Sequence, residues 1–334
     1  MRLALVLPCY NEEEVLRRSI EQLTILLDKM VAVHKITPDS FMMFVNDGSR
    51  DATWDIIVEQ FRKNSYVKGV NLSINVGHQN AIMAGMMTAM DMSDAVVTID
   101  ADLQDDIAAI EIMVDRYREG CDVVYGVKVS RTADSFIKRS SAVMFYKLQA
   151  ALGVNTVYNH ADFRLMSRRA LQQLSRYKER NLYLRGIVPL IGYKTATVND
   201  VIREREAGKS KYTLKKMLNL AMDGITSFSV RPIYWIIAAG FFFLIVSVLA
   251  TIYILISFFS GHIVPGWTSL MLSLWFIGAI ILLGIGIIGQ YIGKIYIEVK
   301  QRPRYNIETI LDEKKEQSSN DTTKESTDES LASH

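Results

Sequence analysis

Two stretches limit what this chain can become more than any other feature. Residues 233–259 and 268–293 are almost wholly apolar, and neither contains a formal charge. A helix needs ~20 consecutive apolar residues to cross a bilayer, and both runs exceed that length. A soluble core helix of this length and composition is rare. Residues 260–267 between them carry no Lys or Arg, whereas Arg231 lies before the pair and Lys294, Lys300, Arg302 and Arg304 follow it. By the positive-inside rule, both termini and the long N-terminal part are expected on the cytoplasmic face of the cell (inner) membrane, with the chain multi-pass. Gly284, Gly286, Gly289 and Gly293 crowd the second run and suit close helix packing. A charged fraction of 22% beside a mean hydropathy of +0.13 implies segregation into a soluble part and a membrane part. Cys9 and Cys121 are the only cysteines; they form no disulfide framework and fit a reducing compartment. The apolar run from Leu3 is too short for a signal-peptide core and reads as a strand.

The first 130 residues alternate between two periodicities. Strands are expected at 3–7, 41–45, 67–72, 96–99 and 122–127, with helices of ten or more residues between them. The first helix is read with Asn11 as N-cap and Glu12, Glu13 and Glu14 at the positive end of its dipole. This alternation predicts a mainly parallel sheet covered by helices. The fourth strand carries the densest signal. Val96-Val97-Thr98-Ile99 runs into Asp100-Ala101-Asp102-Leu103-Gln104-Asp105-Asp106. A buried strand that ends in acids places them at its carboxyl end, where open α/β sheets bind ligands. Asp100 and Asp102 converge while the chain stays extended, and hard divalent cations take such oxygens. Asp105 and Asp106 read as the capping turn of the next helix. The other strands also end in polar residues: Asn11-Glu12, Asp47 and His78-Gln79. A convergent row of this kind is a site, whereas one acidic strand end is a solvated turn.

No G-x-G-x-x-G follows the first strand, and no G-x-x-x-x-G-K-[ST] occurs, so dinucleotide-dehydrogenase and P-loop readings lose their support. A net charge of +2 identifies no partner class, and no nucleic acid is expected. Residues 131–152 mix Arg131, Lys138, Arg139 and Lys147 with apolar positions. They read either as a basic amphipathic helix on a membrane surface or as a helix packed on the sheet with a solvated basic face. Asp162 beside Arg164, among apolar neighbours, reads on its own as a buried ion pair. Residues 203–216 read as a mobile phosphate-clamping loop or as a linker.

The combination PCYNEEE, VNDGSRD, NVGHQNA and DADLQDD at four successive strand ends resembles glycosyltransferase family 2. ADFRLMSRRA and REAGKSKY narrow it to the polyprenyl-phosphate glycosyltransferases, relatives of dolichol-phosphate mannose synthase. The two C-terminal apolar runs are similar to the bacterial undecaprenyl-phosphate branch. The resemblance covers roughly residues 1–305. It implies a GT-A-type domain over 1–210, juxtamembrane interfacial helices over 211–231, and two transmembrane helices with a short external loop over 232–293. A basic cytoplasmic segment over 294–312 and a disordered tail over 313–334 complete the plan. It also implies site roles. Pro8, Tyr10, Glu12 and Asp47 hold the nucleotide's base and ribose, and Asp100 faces the nucleotide. Asp102, with Gln104, binds Mg2+ or Mn2+. Arg131, Arg139 and Ser140 grip the acceptor phosphate. Asp162 and Asp102 are the catalytic residues, and Arg205, Lys209 and Lys211 lie in a loop that closes over the donor. The partners implied are a UDP-sugar, undecaprenyl phosphate, the membrane and further copies of the chain in a homo-oligomer, with a tetramer suggested. The activity implied is inverting transfer of glucose or N-acetylglucosamine, making a lipid-linked donor for cell-surface glycan modification.

His78-Gln79-Asn80 departs from the Gly-Lys-Glu type common in glucosyl and mannosyl members, so the sugar is open. Processive polysaccharide synthases of the same family carry Q-x-x-R-W. Gln173-Leu174-Ser175-Arg176-Tyr177 ends in Tyr and lies too near ADFRL, so it reads as ordinary helix. A non-catalytic nucleotide-sugar-binding module is the remaining alternative.

Overall fold

A computed structural model describes residues 1–128, 160–180, 183–201, 231–260 and 266–312. These fall into two units. One contains 1–128, 160–180, 183–201 and 303–312; the other contains 231–260 and 266–302.

The first unit is an α/β domain. Its elements in chain order are β1 (Leu3–Cys9), α1 (Leu16–Ala32), β2 (Phe41–Asn46), α2 (Thr53–Lys63), β3 (Val67–Leu72) and α3 (His78–Met90). Then come β4 (Ala95–Thr98), α4 (Ala109–Arg118), β5 (Val123–Lys128), β6 (His160–Ser167), α5 (Arg168–Leu174), α6 (Leu184–Leu190) and β7 (Thr195–Asp200). The strands form one sheet in the order β7-β5-β6-β4-β1-β2-β3-β8, where β8 is Ile307–Leu311. β1 pairs in parallel with β2 and β4, β2 with β3, and β5 with β7. β6 runs antiparallel between β4 and β5, and β8 antiparallel on β3. The chain winds outward from β1 through β2 to β3 and then returns to place β4 on the other flank of β1. A reversal of this kind opens a crevice at the carboxyl ends of β1 and β4.

The central strands are buried on both faces, as parallel strands under helices should be. Leu3, Leu5 and Leu7 of β1 share one core with Leu16, Ile20, Leu23 and Leu27 of α1. The opposite face is covered by α3, whose sequence AIMAGMM keeps the contact surface small. A Cβ built on Gly85 would lie 2.4 Å from Val6 Cγ1 and 2.7 Å from Val45 Cγ2. Both neighbours are β-branched, buried and stiff. Gly85→Val has nearly glycine's helix propensity, so it isolates the clash. It is expected to cost about 1–3 kcal/mol by overpacking, read as a lower denaturation midpoint. An unchanged midpoint would contradict the close approach.

The expected start of α1 is corrected. α1 starts at Leu16 rather than at a cap on Asn11. Asn11 instead sits in the left-handed region at φ 54, and its side-chain oxygen accepts from the Arg50 N–H at 2.9 Å. A polar side chain that reaches an adjacent loop competes with its own helix start. Glu12, Glu13 and Glu14 therefore precede the helix and do not form its first turn. Residues 294–312, expected as a basic cytoplasmic segment, contain parts of two elements. They are divided between the last turns of an apolar helix and the edge strand β8. The domain read as ending at 210 thus recruits a strand from the far side of the apolar runs.

The second unit contains α7 (Arg231–Phe259) and α8 (Trp267–Val299). Within α8, the 24-residue stretch Phe276–Val299, with a mean hydropathy of 2.0 over an 18-residue window, is long and apolar enough to cross a membrane. Phe243 of α7 meets Phe276 of α8 edge to face, at 6.0 Å between ring centroids.

Candidate active site

The register of the sheet builds the site. β6 is antiparallel to β4 with Arg164 opposite Thr98. Two residues back along β6, Asp162 is carried past the end of β4, where the chain enters Asp100. β5 and β7 end at the same rim, with Lys128 opposite Asp200. α3 begins there too, after Gly77 at φ 87. Residues far apart in sequence are thereby gathered at one edge: His78, Asp100, Asp102, Asp105, Lys128, Asp162 and Asp200.

Asp162 is the most heavily engaged of them. Arg164 Nη2 donates to its Oδ1 at 2.7 Å, and Arg185 Nη2 of α6 lies 3.3 Å from its Oδ2. His78 Nε2 lies 3.6 Å from Oδ2 and 3.5 Å from Asp100 Oδ1. Burial alone would raise the Asp162 pKa. The nearby His78 and the charges of Arg185 and Arg164 outweigh it and hold the carboxyl well below the usual carboxylate range. Arg164 is 1% exposed; burial lowers its pKa, against the charge of Asp162. A buried ion pair, the reading from sequence, is what the structure contains, with Arg185 and His78 added at its outer side. His78 is driven the other way. Burial lowers its pKa, but Asp162 and Asp100 more than compensate, so the imidazolium is favoured. For Asp100, burial raises the pKa, His78 opposes, and Asp162 and Asp102 raise it further.

Asp102 and Gln104 form a compact turn. Gln104 donates from Nε2 to Asp102 Oδ2 at 2.9 Å. Leu103 between them is in the left-handed region at φ 48 and is buried. That conformation is costly for leucine and marks a turn over-determined by its surroundings. Ser19 of α1 helps hold it, donating to the Ala101 carbonyl at 2.6 Å. Among the described residues, no group of three or more His, Cys, Asp or Glu side chains is placed to hold a metal ion by itself. Mg2+ ordinarily takes only one or two protein carboxylates and completes its shell with water and substrate phosphates. One carboxylate beside one amide, both hard oxygen donors, fits that requirement.

The nucleotide-side residues lie at the ends of β1 and β2. Pro8 is in β1 opposite Val45, and Tyr10 is 42% exposed. The Glu12 carbonyl accepts from the Val15 and Leu16 N–H groups in the turn that precedes α1. Asp47 is buried and already occupied: its carboxylate accepts from the Val76 N–H at 2.7 Å and the Gly77 N–H at 3.0 Å. It therefore shapes the loop that delivers His78. Arg131, Arg139, Ser140, Arg205, Lys209 and Lys211 lie outside the described residues, as do 211–230 and the tail from 313.

Asp106 makes the expected turn, accepting from the Ala108 N–H at 3.2 Å, but Asp105 does not. Its carboxylate is 2% exposed and faces Lys128 at 3.4 Å. Burial first, then Asp100 and Asp200 against Lys128, push its pKa up to about 7. His78, Arg185, Lys128 and Asp200 had no assigned role in the sequence reading. The one available signal for Arg185 was a lone arginine inside the apolar stretch LYLRGIVPL.

A mainly parallel helix-covered sheet with acidic ends at its topological switch is a GT-A-type glycosyltransferase fold. The chain matches Glycosyl transferase family 2 over residues 4–175 and belongs to that family. It is 50% identical over 309 residues to the Bacillus subtilis "Uncharacterized glycosyltransferase YkoT", covering 92% of each chain. It is 38% identical over 312 residues to the Shigella flexneri "SfII prophage-derived bactoprenol glucosyl transferase", covering 92% of this chain and 97% of that one. Among solved structures it is similar to S. aureus TarS 1-349 in complex with UDP-GlcNAc, with 17% identity, 68% of this chain and 66% of that one covered, and a TM-score of 0.43.

Proposed function

We propose that this glycosyltransferase moves glucose from a UDP-sugar to undecaprenyl phosphate at the membrane, with inversion, making a lipid-linked sugar donor for cell-surface glycan modification. The observation that carries the reading is the Asp162 cluster. Its carboxylate, Arg164, Arg185 and His78 stand beside the Asp100–Gln104 turn at the rim where β4 and β6 meet. The Shigella relative named for glucosyl transfer to bactoprenol supports both the acceptor and the choice of glucose over N-acetylglucosamine.

The acceptor is a phosphate monoester with a second pKa near ~6 and is mostly a dianion at neutral pH. It needs little help to lose a proton, so a general base has little to contribute. Asp162, held ionised and hydrogen-bonded on both oxygens, is built to orient rather than to accept a proton. It fixes Arg185 and His78 at the rim, where their positive charge faces the reacting phosphates. Arg131, Arg139 and Ser140 hold the acceptor phosphate, guanidinium groups being suited to two parallel hydrogen bonds. Pro8, Tyr10 and Glu12 hold the nucleotide, with Asp47 shaping the neighbouring loop and Asp100 turned to the diphosphate side. Arg205, Lys209 and Lys211 close over the donor. Asp102 with Gln104 holds Mg2+ or Mn2+, which when bound offsets the negative charge developing on the departing nucleoside diphosphate. Attack opposite that leaving group converts an α-linked donor into a β-linked lipid phosphate. The apolar helices keep the domain at the surface where the lipid phosphate lies, on the cytoplasmic side by the distribution of Lys and Arg. A homo-oligomer belongs to the same reading, with Gly284, Gly286, Gly289 and Gly293 of α8 as positions where a neighbouring helix could approach closely.

Membranes containing the protein, incubated with undecaprenyl phosphate and a panel of radiolabelled nucleotide sugars with and without Mn2+, test this directly. Label from UDP-glucose is expected in the extracted lipid as a single-sugar product. Label in a long polymer, or none in lipid from any donor, would refute it.

A further inference from the structure

β8 follows both apolar helices in the chain, yet it joins the edge of the domain's sheet at β3. Its pairing is irregular at one point. Asn71 lies opposite Thr309 and Leu72 opposite Ile307, so Glu308 is an extra residue in the ladder. A bulge of this kind re-aims a side chain, and here the side chain reaches Asn71, which donates from Nδ2 to Glu308 Oε2 at 2.9 Å. The contact continues inward. Asn46 Nδ2 donates to Asn71 Oδ1 at 2.7 Å. The Ser49 N–H donates to Asn46 Oδ1 at 3.2 Å, and the Asn11 N–H to Ser49 Oγ at 3.0 Å. Asn11 Oδ1 in turn accepts from the Arg50 N–H at 2.9 Å. These bonds border a cleft of about 440 Å³ lined by Tyr10, Asn46, Arg50, Trp54, Asn71 and Glu308, among others.

The chain of bonds has a direction, and Glu308 sets it. A carboxylate only accepts, so Asn71 must turn its NH₂ outward and its oxygen inward. Asn46 must then present its own NH₂ to Asn71 and its oxygen to the Ser49 N–H. Asn46 is buried, so a reversed amide would leave the Ser49 N–H facing another donor, which costs more than a bond never made.

We propose that Glu308 is a positioning residue for the sugar donor: the strand that follows the apolar helices orients, through Asn71 and Asn46, the two loops that carry Tyr10, Glu12 and Asp47. The inference rests on the reading that these loops hold the nucleotide. Glu308 acts on donor binding rather than on the acceptor side.

The test uses the full chain in detergent, with UDP binding followed by calorimetry and transfer measured at varied donor and acceptor. Glu308→Lys offers only donors and so opposes the direction of the chain. It is expected to weaken UDP binding and raise the donor KM about three- to ten-fold, the scale of one lost hydrogen bond. The kcat and the lipid KM should stay unchanged. Glu308→Ala should fall between Lys and wild type, and Glu308→Gln, which can still accept, should recover most of the affinity. Thermal unfolding of the three variants separates positioning from loss of the strand: the order Gln, Ala, Lys must hold at equal melting temperature. Unchanged UDP affinity in Glu308→Lys would overturn the proposal, as would an equal effect on the lipid KM. Wild-type protein that binds no UDP would overturn the donor reading beneath it.

Discussion

Asp162→Asn is expected to lower transfer by ~10²-fold or more, the cost of displacing reacting groups by about an ångström, and by the same factor from about pH 8 upward. That range lies above the acceptor's second pKa of ~6. The sign follows from the Asp162 pKa, which lies well below the usual carboxylate range once its cationic neighbours outweigh burial. A depressed pKa means that the favourable contribution of the charge is fully present above the unfolded value of ~3.9 and is lost only as pH falls through the lower folded value. Nothing about Asp162 titrates in the assay range. The asparagine keeps the shape but removes the charge that holds Arg164, Arg185 and His78. Recovery of the variant at high pH would identify a general base and refute the orienting role. Because Arg164 is buried, loss of its partner also destabilises the fold, by about 3–5 kcal/mol where a buried pair is broken outright. Rates should therefore be compared at a temperature where both proteins are folded.

Asp102→Ala is expected to reduce transfer by roughly 10²–10³-fold, the scale of removing one group that stabilises developing charge. Chelation should bring the wild type down to a similar level, and the variant should then be indifferent to chelator. Those two measurements separate a ligand from a residue that only shapes the Asp100–Gln104 turn. A variant that retained full activity, or one whose rate still fell on chelation, would exclude Asp102 as the metal-holding group. Gln104→Ala should give a smaller loss, because its amide nitrogen supports the same carboxylate at 2.9 Å.

Much of this was legible in the residues, for identifiable reasons. The strands of the first half announce themselves because each is a short β-branched or apolar run closed by polar residues, and a parallel sheet follows from the helices between them. Asp100, Asp102 and Asp162 stood out because carboxylates at strand ends and within apolar runs are costly without a purpose. What stayed hidden depends on register. Nothing local says that β6 runs antiparallel, and only that direction brings Asp162 beside Asp100. His78 and Arg185 meet Asp162 from two helices, at sequence distances no periodicity encodes. Asp105 looked like a capping residue because Asp106 is one, and only burial against Lys128 and Asp200 separates the pair. β8 was missed for another reason. Ile307–Leu311, IETIL, is five residues long and follows a helix that dominates its surroundings in hydropathy.

That late strand settles a matter of parity. β7 precedes the apolar helices and β8 follows them, yet both belong to one continuous sheet. A sheet cannot stand on two sides of a bilayer at once. A chain that left this sheet after β7 for a membrane and rejoined it at β8 would have to cross an even number of times. Among the described residues, Phe276–Val299 of α8 is the stretch long and apolar enough to make such a crossing.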